Sequence, residues 1–307
     1  KHVNIDHHVD ELAIPMYGRV MHDKESNLTN QAYGTDGQAI YSVSRGGLNA
    51  KMMNIAETEG GATIHYNHKC TDVDVENGIV YLTNSKTGEK VEHKSDLIFG
   101  CDGAYSAVRY NAMQKLDRFD YSQDFIDDGY RELLLPANED GSYKMDKNAL
   151  HIWPRGRFML IALPNLDGSF TCTLFYAFED FEKLKTEADV KAFFEENFAD
   201  AIKFMPTYLE DFFANPTSSM VVVRCSPWQY GNKSFLIGDS AHALVPFYGQ
   251  GMNAGFEDCK VFNDMLEKYE GDWAKILNEY QKERIPNGDA ISDLALHNFI
   301  VMRDGVT

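Results

Sequence analysis

Hydrophobic and polar positions follow two patterns along this chain, and the switch between them happens twice. Residues 39–43 are β-prone, and in 48–56 apolar positions recur at helical spacing until Gly60-Gly61. Glycine suits a helix C-terminus, so a helix is predicted to stop there. Strand patterns follow at 62–66, 71–75 and 79–82, the last two joined by Glu76-Asn77-Gly78. Asn-Gly accepts positive φ at low cost, which predicts a hairpin. Lys86-Thr87-Gly88 turns the chain again into 90–93, and 97–100 is a short apolar run. That run reads as a buried parallel strand fed by an antiparallel meander.

Residues 116–230 read differently. Strand runs are predicted at 131–135, 149–153, 158–163, 170–175 and 220–224. Between them Thr186-Glu187-Ala188-Asp189 resembles a capping box, and Val190, Phe193, Phe194 and Phe198 follow at helical spacing. From Ser234 the α/β pattern returns, with a buried strand at 235–238, a glycine-dense loop, and helices over 259–268 and 273–284. Ile285-Pro286 is expected to break the run before a last helix at 290–302. Residues 1–10 show neither period, then 12–16 are apolar. The whole predicts an α/β fold with a second, mostly antiparallel domain, divided at 1–115, 116–230, 231–285 and 286–307.

Composition narrows the possible functions. A net charge of −18 removes the clustered Lys and Arg that phosphate backbones need, which argues against nucleic acid, and it disfavours docking on an anionic membrane. One buried arginine can still hold an acidic small molecule. Cys70, Cys101, Cys172, Cys225 and Cys259 form no C-x-x-C pair, which excludes a zinc ribbon, and no metal is expected. They read as reduced, mostly buried small hydrophobes. With no run of eighteen apolar residues and no signal-peptide core, the expected location is intracellular.

Candidate chemistry concentrates in Gly238-Asp239-Ser240-Ala241-His242-Ala243, continuing through Pro246-Phe247-Tyr248-Gly249-Gln250-Gly251-Met252-Asn253-Ala254-Gly255. A buried strand ending in Gly-Asp sets a carboxylate at the opening edge of a sheet, where it can accept from a ribose or ribityl hydroxyl. Small residues then let a flat ring approach the backbone. A helix predicted near Asn253 would point free N–H groups and its positive end at an anionic ligand. Cys101-Asp102-Gly103 follows the other buried strand, and Arg109 either neutralises phosphate or makes a surface ion pair. Ser44-Arg45-Gly46-Gly47-Leu48 places an arginine at a helix start.

Together these motifs resemble the single-component FAD-dependent aromatic hydroxylases of the p-hydroxybenzoate hydroxylase type. His151-Ile152-Trp153-Pro154-Arg155, Ser169-Phe170-Thr171-Cys172-Thr173-Leu174-Phe175, residues 245–258 and Ala290-Ile291-Ser292-Asp293-Leu294 make the chain similar to the kynurenine 3-monooxygenase family. The resemblance runs from Ile14 to Arg303. It implies a glutathione-reductase-type FAD domain in two parts (1–115 and 231–285), a substrate domain at 116–230, and a C-terminal helical region from 286. It further implies FAD contacts at Arg45, Cys70, Asp102, Asp239, Met252 and Asn253. The implied substrate contacts are Arg19 and Tyr33 at an amino-acid carboxylate, Asn298, and the apolar walls Phe175, Pro246 and Phe247. A planar guanidinium suits a bidentate carboxylate contact. Each of these residues taken alone would be unremarkable.

The implied reaction is hydroxylation of L-kynurenine to 3-hydroxykynurenine with NADPH and O2, within tryptophan degradation. The resemblance puts the chemistry on a flavin C4a-hydroperoxide and assigns no catalytic side chain, with His242 structural. A related hydroxylase acting on another aromatic, and a flavin-free binding protein, are the alternatives. The chain lacks the Gly-x-Gly-x-x-Gly turn of such proteins, and Val3-Asn4-Ile5-Asp6-His7 runs abruptly into the next segment. A first βαβ unit and C-terminal helices are therefore expected beyond this stretch. The compartment follows as cytoplasmic, or mitochondrial outer membrane if a C-terminal anchor exists.

Overall fold

The structure is a computed structural model that describes residues 6–304. Val3, Asn4 and Ile5, from the stretch read as running abruptly into the next segment, lie outside the described residues, as do residues 305–307 of the expected C-terminal region. The described residues form two compact units, one of 6–64, 127–219 and 301–304, the other of 65–126 and 220–300.

The first unit is built on a sheet ordered Asp120–Leu135 (from residue 127), Phe170–Ala177, Met159–Pro164, Ala149–Pro154, Gly18–His22 and Leu28–Ala32. Gly18–His22 lies parallel to Ala149–Pro154, with Gly18 opposite Ala149 and Met21 opposite Ile152, and antiparallel to Leu28–Ala32. The units depart from the sequence boundaries in three respects: residues up to 64 group with the first unit rather than with the 65–115 meander, the bounds 116–230 become 127–219, and 286–300 group with the second unit. Gly18–His22 and Leu28–Ala32 complete that sheet's edge, while Ala13–Met16 and Ile40–Val43 pair as a separate two-stranded sheet. One face is packed by Trp153, Leu160, Phe170 and Leu174 against Val190, Phe194, Phe198 and Phe212. Fully burying such a side chain stabilises by about 1.5–3 kcal/mol. The helix Glu187–Asn197 supplies Val190 and Phe194 to this face with Phe198 at its C-cap, and its capping box forms as expected, Thr186 accepting from Asp189 N and Asp189 from Thr186 N.

The second unit holds the predicted meander, His68–Asp74, Ile79–Asn84 and Lys90–Lys94. Beside it, Ser234–Leu236 runs parallel to Ile98–Gly100 and antiparallel to Gln229–Tyr230. Phe235, Leu236, Ile98, Trp228, Ile276 and Tyr280 form the core between these strands and the helices.

Four expectations change. Residues 62–66 form no strand: Ala62 N donates to Ala56 O at 2.9 Å and Ile64 N to the Glu57 carboxylate at 3.4 Å, both back to the preceding helix. Pro286 does not end its helix, which runs Trp273–Asp304. Proline removes one N–H there, but buried Arg284 on one side and the Ser292 Oγ bond to Gly288 O on the other hold both halves. Residues 6–10, read as aperiodic, form a short helix. All five cysteines are free, yet only Cys172 and Cys225 are buried while Cys101 and Cys259 are exposed.

The capping box gives a direct test. Thr186→Ala should lower stability by about 1 kcal/mol, the usual loss for an N-cap hydroxyl, read as the midpoint shift in urea unfolding. An unchanged midpoint would show that the cap contributes nothing there.

Candidate functional site

Ser234–Leu236 and Ile98–Gly100 end side by side, Leu236 opposite Gly100. The carboxyl edge of such a parallel pair is where open α/β sheets bind ligands. Both following loops carry an exposed aspartate, Asp102 and Asp239.

Arg109 ties the two loops together. It is 3% exposed and donates to Ala104 O and Ser240 O, both at 2.6 Å. Ser240 Oγ in turn donates to Gly100 O at 2.5 Å. This corrects both sequence readings of Arg109. Its donors are spent on carbonyls and on Tyr121 Oη (3.3 Å), so it is neither a phosphate ligand nor a surface ion pair.

Asp102 caps the helix Ala107–Asn111. One oxygen accepts from Ser106 Oγ at 2.5 Å, the other from Ala107 N and Val108 N at 2.7 and 3.2 Å. Asp239 follows Gly238, whose φ of +66° and ψ of −144° suit only glycine. That turn is fixed by Asp258, 0% exposed, which accepts from Gly238 N at 2.9 Å, His242 Nε2 at 2.6 Å and Arg284 Nε at 2.7 Å. Burial pushes the Asp258 carboxyl up, but bonds and charge from His242 and Arg284 hold it net below the usual range. His242 stacks on Trp228 at 5.1 Å and is buried, a structural placement.

The helix Gly251–Lys268 starts two residues earlier than expected. Its N-cap residue Gln250 makes no side-chain cap bond, and a Cβ at Gly249, Gly251 or Gly255 would meet nothing within 4 Å. The first-turn N–H groups thus receive no side-chain cap from Gln250, and Met252 and Asn253 are exposed among them. These residues fit an anionic, flat cofactor such as FAD: carboxylates for hydroxyls, an uncapped helix end for negative charge, and glycines for close approach. Cys70 is half-buried at a bulge of His68–Asp74. Burial, then the Asp102 charge, push its thiol up, so it is not a thiolate.

In the first unit Arg19 and Tyr33 meet. Arg19 Nε donates to Tyr33 Oη at 3.4 Å and its guanidinium lies 5.3 Å over the Tyr33 ring. Both side chains are half-buried, and among the described residues no carboxylate pairs with Arg19. Phe175 is buried on Phe170–Ala177 beside Tyr130, ring centres 6.1 Å apart. Arg45 opens the helix Arg45–Thr58 and is exposed. In the second unit Asn298 Nδ2 donates to Phe247 O at 2.5 Å, the Phe247 and Phe299 rings lie tilted with centres 4.5 Å apart, and Pro246 is exposed.

Sequence reasoning missed a polar cluster in the first unit. His22, His151, Asp146, Asp200, Lys144 and Phe204 line a cavity of about 460 Å³. The available signal was a histidine on the buried phase of a strand, which alone does not name its partners. Among the described residues no group of three or more His, Cys, Asp or Glu is placed to hold a metal ion. Nor is any described helix long and apolar enough to cross a membrane.

Comparison with known proteins gives the setting for these features. Residues 5–295 match the FAD binding domain family model. A kynurenine 3-monooxygenase of Christiangramia forsetii is 51% identical over 98% of this chain and 68% of its own length. One from Sus scrofa is 44% identical over 100% of the chain and 65% of its own length. The chain thus spans about two thirds of these relatives. In fold it is similar to the tetrameric form of 2-methyl-3-hydroxypyridine-5-carboxylic acid oxygenase, with a TM-score of 0.73 at 20% identity, covering 96% of this chain and 76% of that one.

The Asp102 geometry yields a stability prediction. Asp102→Ala removes the acceptor of three donors and should cost about 1–2 kcal/mol, the upper range of a lost helix cap. Thermal unfolding of variant and wild type checks it, and equal midpoints would contradict the capping role.

Proposed function

Because the chain belongs to the FAD binding domain family and, within it, to the kynurenine 3-monooxygenases, we propose that it hydroxylates L-kynurenine to 3-hydroxykynurenine with NADPH and O2. FAD, when bound, supplies the redox chemistry, accepting electrons from NADPH and activating oxygen, while the protein binds and orients. Asp102, Asp239, Met252, Asn253, Cys70 and Arg45 are the proposed FAD contacts. Phe175, Pro246, Phe247 and Asn298 are proposed to contact the substrate. Tyr33 is assigned to the substrate carboxylate together with Arg19.

The observation that carries the substrate class is Arg19. A half-buried guanidinium beside an aromatic hydroxyl, with no carboxylate partner among the described residues, is matched to an incoming carboxylate. Its planar fork can take both oxygens at once. An amino-acid substrate such as L-kynurenine brings that group, and its aryl ring suits aromatic walls.

Arg19→Ala should keep FAD and fold but weaken L-kynurenine binding by about 30- to 5,000-fold, the loss of 2–5 kcal/mol expected when a desolvated charge pair loses one partner. Arg19→Lys should recover only part of this, since an ammonium cannot make the two-pronged contact. Titration of L-kynurenine against NADPH oxidation, with 3-hydroxykynurenine measured directly, reads the effect. If Arg19→Ala stays within about threefold of wild type, far below that range, the substrate reading fails and the flavin reading stands alone.

A further inference from the structure

His22 and His151 sit on neighbouring parallel strands, Gly18–His22 and Ala149–Pro154, and are 6% and 3% exposed. His22 Nε2 lies 2.9 Å from His151 Nδ1. The outer nitrogens are also engaged: His22 Nδ1 is 3.0 Å from Asp200 Oδ2, and His151 Nε2 is 2.9 Å from the main-chain oxygen of Asp146. A carboxylate and a carbonyl only accept, so each outer nitrogen must carry a hydrogen. The two inner nitrogens face each other at hydrogen-bond distance, and one of them must carry a hydrogen as well. Three N–H groups are needed, whereas two neutral imidazoles supply two.

We infer that His22 and His151 are positioning residues that share one extra proton, balanced by Asp200, and so latch the strand bearing Arg19 to its neighbour. Placing the proton on Asp200 instead is disfavoured. Its Oδ2 already accepts from Trp153 Nε1 at 2.7 Å, and although burial pushes this carboxyl up, His22 and Trp153 hold it net below the usual range. His22 Nδ1 meets the Asp200 carboxylate whereas His151 Nε2 meets only a neutral carbonyl, which places the extra proton on His22, stacked 4.0 Å from Trp153.

Charges reach the pair from every side. Arg155 donates to His22 O at 2.9 Å and opposes the extra proton, while Asp200 and Asp23 offset Arg155. Lys144 and Asp146 line the cavity against both rings, and about 460 Å³ leaves room for water to exchange the proton. Side chains alternate along a strand, so His22 faces the core while Arg19, three residues back, faces the other side. The latch therefore holds the strand without occupying Arg19's face.

The sign follows from linkage. A proton taken up by the folded pair is favoured as pH falls and lost as pH rises. The kinetic consequence rests on Arg19 being the carboxylate anchor.

Two measurements on the full chain decide the matter. Long-range 1H–15N correlation spectra of 15N-histidine-labelled protein report each ring nitrogen between about pH 5 and pH 9, on either side of the free imidazole value. Both His22 nitrogens should be protonated at the acid end, with His151 a neutral Nε2–H tautomer. Two singly protonated rings throughout would overturn the shared proton. Separately, the KM for L-kynurenine of His151→Asn should exceed wild type about tenfold at low pH, one pK unit of coupling, and converge on it as pH rises, with kcat changing less. A pH-independent ratio, or none, would overturn the positioning role. If Arg19→Ala leaves kynurenine binding intact, the function reading fails, while the spectra still decide the proton.

Discussion

Asp258 has no exposed surface and accepts hydrogen bonds from Gly238, His242 and Arg284. Removing one partner of such a buried pair costs about 3–5 kcal/mol, because the remaining charge stays desolvated. The second unit therefore cannot move the Gly238 turn without breaking contacts to two helices, Gly251–Lys268 and Trp273–Asp304. Arg284 also reaches Glu257 Oε2 at 2.7 Å, which ties the start of one helix to the middle of the other. The exposed Asp239 and the uncapped helix start inherit their positions from this one carboxylate. Rigid support under a binding edge is what cofactor retention requires.

The first unit uses the same strategy with an arginine. Arg155 is 8% exposed and donates to the carbonyls of Asn197, His22 and Pro154 at 2.6, 2.9 and 2.7 Å, with Phe198 under its guanidinium. Arg131 does likewise toward Phe212 O and Thr217. These two guanidinium groups spend several donors on carbonyls and a hydroxyl of the fold, whereas Arg19 makes, among the described residues, one long side-chain bond to Tyr33 and lies over its ring. The contrast between satisfied and waiting guanidinium groups is visible only in three dimensions.

What the sequence disclosed follows from the range of the interactions involved. The meander was legible because strict alternation and the Asn77-Gly78 turn are local, and Gly78 takes φ +68°. The helix after Thr186 was legible for the same reason. Leu28–Ala32 was not, since all five of its residues are exposed and give no alternation. Gly18–His22 escaped notice because its partner lies more than a hundred residues away in Ala149–Pro154. Pro286 misled because local propensity was overridden by packing on both sides. The glycine-rich loop after Ser234–Leu236 could be read from its residue types. Arg19, Tyr33 and Asn298 came from the resemblance alone, and the partners of Arg109, His22 and His151 needed the fold.

All of this converges on the claim that the paired strand ends and the helix at Gly251 hold FAD. The most direct measurement is FAD affinity of wild type and Asp239→Ala, by titrating the stripped protein and following flavin fluorescence. Losing a charged acceptor at a cofactor hydroxyl should weaken retention by about tenfold to a hundredfold, from roughly 1.5–3 kcal/mol. A variant that retains a full complement of FAD with unchanged affinity would contradict the assignment of this edge as the cofactor site.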